Sequence, residues 1–85
     1  MKTIRIIAFK EGEIWVAQCL EHDVSAQAAD LDTVRARIEV AIQAESPLDQ
    51  LPQAPAHFFE LWDRKSDFNK SGNSNGVDYE MALCA

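Results

Sequence analysis

Apolar residues along the first third of the chain alternate with other apolar residues instead of with polar ones. Lys2 to Lys10, KTIRIIAFK, is rich in β-branched and aromatic residues and reads as a strand. Glu11-Gly12 then reads as a tight hairpin turn leading into a second strand, EIWVAQCL. Ile4, Ile6 and Ala8 fall on one face of the first strand, with Ile7 and Phe9 on the other. Ile14, Val16 and Leu20 oppose Trp15, Ala17 and Cys19 in the second. Both faces of the hairpin therefore want cover. Glu21-His22-Asp23 interrupts the pattern, and Val24 to Ala28 resumes as a short third strand of small residues, completing an antiparallel meander.

Helical spacing follows. Asp30 is a candidate N-cap, and Leu31, Val34, Ile38, Ala41 and Ile42 form one apolar stripe, with Asp32, Arg35 and Glu39 on the opposite side. Ser46-Pro47 ends this helix, and three prolines, Pro47, Pro52 and Pro55, make an extended connector. Pro55 suits the first turn of a second, short helix whose apolar stripe is Phe58, Leu61 and Trp62, widened by Phe59. NKSGNSNG has too little apolar content to pack, so residues 66–76 read as a mobile loop. Val77, Tyr79, Met81 and Leu83 then alternate with Asp78, Glu80, Ala82 and Cys84 as a half-buried last strand over 77–84.

This order defines an α+β fold: a three-stranded antiparallel meander, a helix, a short second helix and a final strand. The 85 residues, 47% hydrophobic and 26% charged, suffice for one domain, 1–85. It divides into a βββα core (1–45), a Pro-rich connector with the aromatic helix (46–65), the loop and the last strand. Eight Lys and Arg against 14 Asp and Glu give a net charge of −6, which disfavours a phosphate backbone and favours a basic protein partner. The two cysteines are too far apart for a metal knuckle. No secretory signal precedes them and no apolar run would span a bilayer, so a cytoplasmic protein with reduced thiols and no membrane association is expected.

The hairpin glycine in EGEIWVAQCLEHDV, the small-residue third strand SAQAA and the helix start DLDTVRARIEVAIQAE together resemble the HicB family of bacterial antitoxins, over roughly residues 4 to 45. Ala28-Ala29-Asp30 stands where many members carry a Gly. The resemblance implies a two-layer sandwich of sheet and helix similar to a double-stranded-RNA-binding fold, a tendency to form dimers, and a partner in a small basic HicA-type RNA interferase. Full-length antitoxins of this kind commonly add a C-terminal DNA-binding domain. The present sequence stops at Ala85, just after the last strand, so direct DNA binding is not expected.

Glu21-His22-Asp23 could hold a metal or carry protons, with His22 and Asp23 the centre of a hydrolase, but three adjacent side chains in a bend do not point at one centre, and the turn reading is preferred. Cys19 in mid-strand reads as a packed thiol and not a nucleophile. The expectation is thus a non-enzymatic interaction module without a cofactor. The alternative is a stand-alone small-molecule-binding domain lined by aromatics. Because one helix covers one sheet face, Ile7, Phe9, Trp15, Phe58, Phe59 and Trp62 are expected at a homodimer interface. Glu11, Glu13, Glu21, Asp23, Asp30 and Asp32 are expected to form an acidic surface facing a partner.

Overall fold

The computed structural model describes residues 3–45, 50–65, 69–74 and 76–84. It is α+β. Strands β1 (Ile4–Glu11), β2 (Ile14–Cys19) and β3 (Ser25–Ala28) lead into helix α1 (Leu31–Ala44) and helix α2 (Ala56–Asp63), followed by β4 (Asn69–Ser74) and β5 (Val77–Cys84). The five strands form one mixed sheet in the order β3-β2-β1-β5-β4, in which only the β1–β5 pair is parallel. The expected meander is present. Its first turn is Gly12-Glu13, one residue later than the sequence suggests, since Glu11 pairs with Ile14; Gly12 takes φ 64° there, a conformation costly to residues with a Cβ.

Strand alternation divides the interior into two cores. Ile4, Ile6, Ala8, Ala17, Cys19, Tyr79 and Met81 meet Val34, Ile38 and Ile42 of α1, with Trp15, Leu31 and Ala41 at the margin. On the other face Ile7, Leu20 and Ala82 are wholly buried against Phe58, Phe59, Leu61 and Trp62, which include the apolar stripe of α2. The two-layer expectation therefore becomes three layers over the described residues, because the second helix lies across the second face. Each large aliphatic side chain so covered contributes roughly 1.5–3 kcal/mol. Asp30 caps α1 as expected: its carboxylate accepts the Thr33 amide at 2.8 Å and the Thr33 hydroxyl at 2.9 Å. The helix ends at Ala44, and Ser46-Pro47 lies outside the described residues.

Two expectations are corrected. Arg35 and Glu39, expected opposite the apolar stripe and within ion-pairing distance, share a partner on β5: the Tyr79 hydroxyl accepts from Arg35 Nε at 3.1 Å and donates to the Glu39 carboxylate. Burial of the ring, reinforced by the neighbouring carboxylate, pushes the phenol pKa upward. The second correction concerns residues 66–76: the stretch 69–74 is a strand, while 66–68 and 75 lie outside the described residues. NKSGNS has no apolar side chain to bury, so its order comes from its neighbour. It pairs along the whole of β5's first six residues, Asn73 Nδ2 donates to Asp78 at 2.8 Å, and the Tyr79 ring lies over the bare backbone of its register partner Gly72. A Cβ at Gly72 would sit 2.4 Å from the ring.

That ring end is held by two hydrogen bonds and is not free to move aside. Gly72→Ala is expected to cost about 1–3 kcal/mol in urea unfolding. A cost below about 0.5 kcal/mol, the usual range for surface substitutions, would show that the β4–β5 pairing does not depend on this contact.

Candidate interaction surface

The bend after β2 is built from backbone bonds. The Leu20 amide donates to Arg5 O at 2.9 Å, the Cys19 amide to Val24 O at 2.9 Å, and the Val24 amide to His22 O at 2.7 Å. The connector is fastened to the same bend, with the Asp23 amide donating to Pro52 O at 2.7 Å and the Ala54 amide to Leu20 O at 3.0 Å. Side chains of the bend diverge. Glu21 accepts the Arg5 backbone amide at 2.7 Å and Arg5 Nε at 2.6 Å, so it satisfies a charged residue inside an apolar strand. Asp23 accepts from the buried Gln18 amide at 3.0 Å. His22 Nδ1 is buried without a hydrogen-bond partner among the described residues. No group of three His, Cys, Asp or Glu side chains among the described residues is placed to hold a metal ion.

Cys19 is 0% exposed, and burial is the main cause that pushes its thiol up to about 11. The His22 amide pulls the other way, the Glu21 charge adds to the rise, and the amides of Glu21 and Leu20 oppose it; burial wins. Cys84, half-buried, is also a free thiol.

The aromatic residues do not share one surface. Trp15 packs toward the α1 core, whereas Phe9, Phe58, Phe59 and Trp62 lie on the α2 side and Ile7 is buried beneath them. Phe9 and Phe58 have ring centroids 6.0 Å apart. The Arg5 guanidinium lies 5.4 Å from the Phe59 ring and 5.7 Å from Trp62, so one strand cation fastens the helix to the sheet, while Lys65 Nζ, 4.8 Å from Trp62, is a local contact just past the end of the helix. His57, Glu60, Asp63 and Arg64 occupy the exposed side of α2 and its end. The six residues expected at one homodimer interface are thus split between two faces, and the second face has its cover within the chain.

The six acidic residues are divided as well. The β1–β2 register places Glu11 and Glu13 at the hairpin tip, and pairing of Trp15 with Ala28 sets that tip beside Ala29, Asp30 and Asp32 at the start of α1. Glu21 and Asp23 lie at the opposite end of the strands, occupied by Arg5 and Gln18. The Thr33 amide and hydroxyl hold the Asp30 carboxyl below its ordinary range, Arg37 adding to this, so Asp30 is charged throughout the neutral range. Ile14, paired with Glu11 next to the turn, has 46% of its surface exposed. The apolar pattern assigns Ile14 to the same inward stripe as Val16 and Leu20; its place next to the turn is what leaves it uncovered. Arg37 lies at the same end, its Nη1 donating to Gln27 O at 2.8 Å on the outer strand β3.

Glu21→Ala is expected to leave the Arg5 amide and guanidinium without their acceptor, to cost about 1–2 kcal/mol, and to shift Trp62 emission to the red when Trp15 is replaced by Phe. Unchanged emission would mean that Arg5 does not fasten α2. Folded Cys19 titrates above its unfolded value near 8.5, so burial of the neutral thiol stabilises the fold below that pH and the contribution is lost as pH rises through about 11. At pH 8 only about one Cys19 in a thousand is thiolate, and iodoacetamide should label Cys84 first, with Cys19 reacting only after denaturant is added. Equal labelling of the two, read by mass spectrometry, would contradict this. No protein-family profile, curated protein or solved structure matches the chain significantly.

Proposed function

We propose that the chain is a non-catalytic, HicB-like protein-interaction module that binds and occludes a small basic protein, in the HicB setting a HicA-type RNA interferase. The observation that carries this reading is that Glu11, Glu13, Asp30 and Asp32 lie at one end of the domain, on two elements distant in sequence, where they outnumber the cations Lys10 and Arg37. Four carboxylates on one end attract a positively charged surface and orient it during encounter, chiefly by raising the association rate. The remaining acids of the candidate set serve the fold: Glu21 neutralises Arg5 and Asp23 holds Gln18. Both cysteines are free thiols, which suits a reducing cytoplasmic compartment. No helix among the described residues is long and apolar enough to cross a membrane.

The test is surface plasmon resonance against a purified HicA-type interferase encoded beside this chain's gene, with its RNA cleavage measured in parallel. Saturable binding that stops cleavage is expected, and Glu11→Gln with Glu13→Gln should slow association about tenfold at low salt and far less at high salt. Absence of binding at micromolar concentration, or association indifferent to salt and to these substitutions, would overturn the reading.

A further inference from the structure

The two outer strands of the sheet are not equally protected. β3 is four residues long and its Gln27 carbonyl accepts from Arg37, whereas β4 pairs with β5 over all six of its residues without a bulge and has no strand on its other side among the described residues. Little in NKSGNS blocks that side: it contains no proline, one charge at Lys70, and bare backbone at Gly72. Tyr79 and Met81 belong to the α1 core, so alternation places Asp78 and Glu80, with their register partners Asn73 and Ser71, on the α2 side. α2 covers Ile7, Leu20 and Ala82 on that side. Beyond them lies a hollow of about 390 Å³ lined by Thr3, Ser71, Gly72, Asp78, Tyr79 and Glu80, two carboxylates without a Lys or Arg. The Glu80 carboxylate has no hydrogen bond or ion pair among the described residues, and Asp78 accepts the Asn73 amide. Arg5, beside Glu80 in the register, is held by Glu21, and Lys70, opposite Met81, belongs to the α1 side.

We infer that β4 takes up an extended segment of a partner protein as a sixth strand, and that this segment carries Lys or Arg at alternate positions, with one cation entering the hollow at Asp78 and Glu80. The unpaired backbone groups of β4 supply the ladder, and the carboxylates behind it choose the side chains. An added strand would lie two strand spacings from β5, about 10 Å. A Lys or Arg reaching over the short Ser71 and a Glu80 reaching back close that gap between them. Because side chains alternate, the residues between the cations fall on the Lys70 side, where a further positive charge is repelled. The partner's mark is therefore a period of two in its basic residues and not a basic block. This edge lies at the Thr3 end of β1, opposite the hairpin tip, so the inference stands independently of the proposed function.

The experiment is an NMR titration of the full chain at low salt with two synthetic peptides of one composition, TKTKTKT and TTKKKTT, with amide hydrogen exchange followed in parallel. The alternating peptide is expected to bind at least about fivefold more tightly than the block peptide, to protect those β4 amides whose N–H groups point away from β5, and to lose its advantage in Glu80→Gln. Glu80 holds no partner among the described residues, so the variant should keep the wild-type spectrum elsewhere. Glu60→Gln, on the exposed side of α2, removes the same charge at a distance and should leave binding unchanged. Equal binding of the two peptides, or binding without protection of β4, would overturn the sixth strand. An advantage that survives in Glu80→Gln would overturn the role of the hollow. Binding of neither peptide at millimolar concentration would overturn the inference as a whole. Concentration-dependent protection of β4 without peptide would assign the edge to a second copy of this chain and overturn the assignment to a basic segment.

Discussion

Strand β1 has no side that faces water along its apolar length. It lies in the middle of the sheet, between β2 and β5, with Ile4, Ile6 and Ala8 under α1 and Ile7 under α2. A central strand that is apolar on both faces demands two covering layers, and the rest of the architecture supplies them. α1 does so with three wholly or nearly wholly buried aliphatic residues at helical spacing. α2 does so with a broad stripe of half-buried aromatic surface, none of it fully enclosed. The asymmetry gives the Arg5 cation its place: the apolar contact of the second helix is smaller, and attraction between the Arg5 guanidinium and two of its rings supplements it.

Arg5 is the point at which the two requirements meet. A guanidinium inside IRIIAF would be a cost to the strand, yet one carboxylate from the bend after β2 satisfies both its backbone amide and its side chain. The plane of the same group then lies near two rings of α2. Glu21-His22-Asp23 is therefore a joint linking β2, the connector and the second layer. Its two carboxylates are taken up by Arg5 and Gln18, although His22 Nδ1 has no hydrogen-bond partner among the described residues, and this leaves the hairpin tip and the start of α1 as the acidic end open to other molecules.

Much of this was legible in the sequence. The meander, the Asp30 cap, the buried stripe of α1, the Pro55 start of α2 and the last strand all follow from local signals: hydrophobic period, capping chemistry and proline placement. What was not legible depends on contacts between distant segments. NKSGNS has the composition of a loop and becomes β4 because β5 offers it a ladder and Tyr79 offers Gly72 a ring. Which face receives Trp15 and which receives Phe59 is decided by register and by where α2 lands, neither of which alternation alone specifies. That Glu21 and Asp23 part from the other four acids of the expected surface likewise appears only once the hairpin tip is set beside the start of α1. Arg5 could have been flagged, since a charge within an apolar strand asks for a partner, but the sequence does not say that Glu21 is that partner.

The parallel pairing of β1 with β5 joins the two strands furthest apart along the chain. During synthesis on the ribosome, β1 emerges before every other element of this domain and its neighbour β5 after them. Until β5 arrives, one edge of IRIIAF stays unpaired and its second face lacks Ala82, even if α1 has already docked. The nascent chain thus carries a sticky apolar edge for as long as the segments between β1 and β5 are being made, and keeping it soluble in that interval falls on charge repulsion in the growing chain.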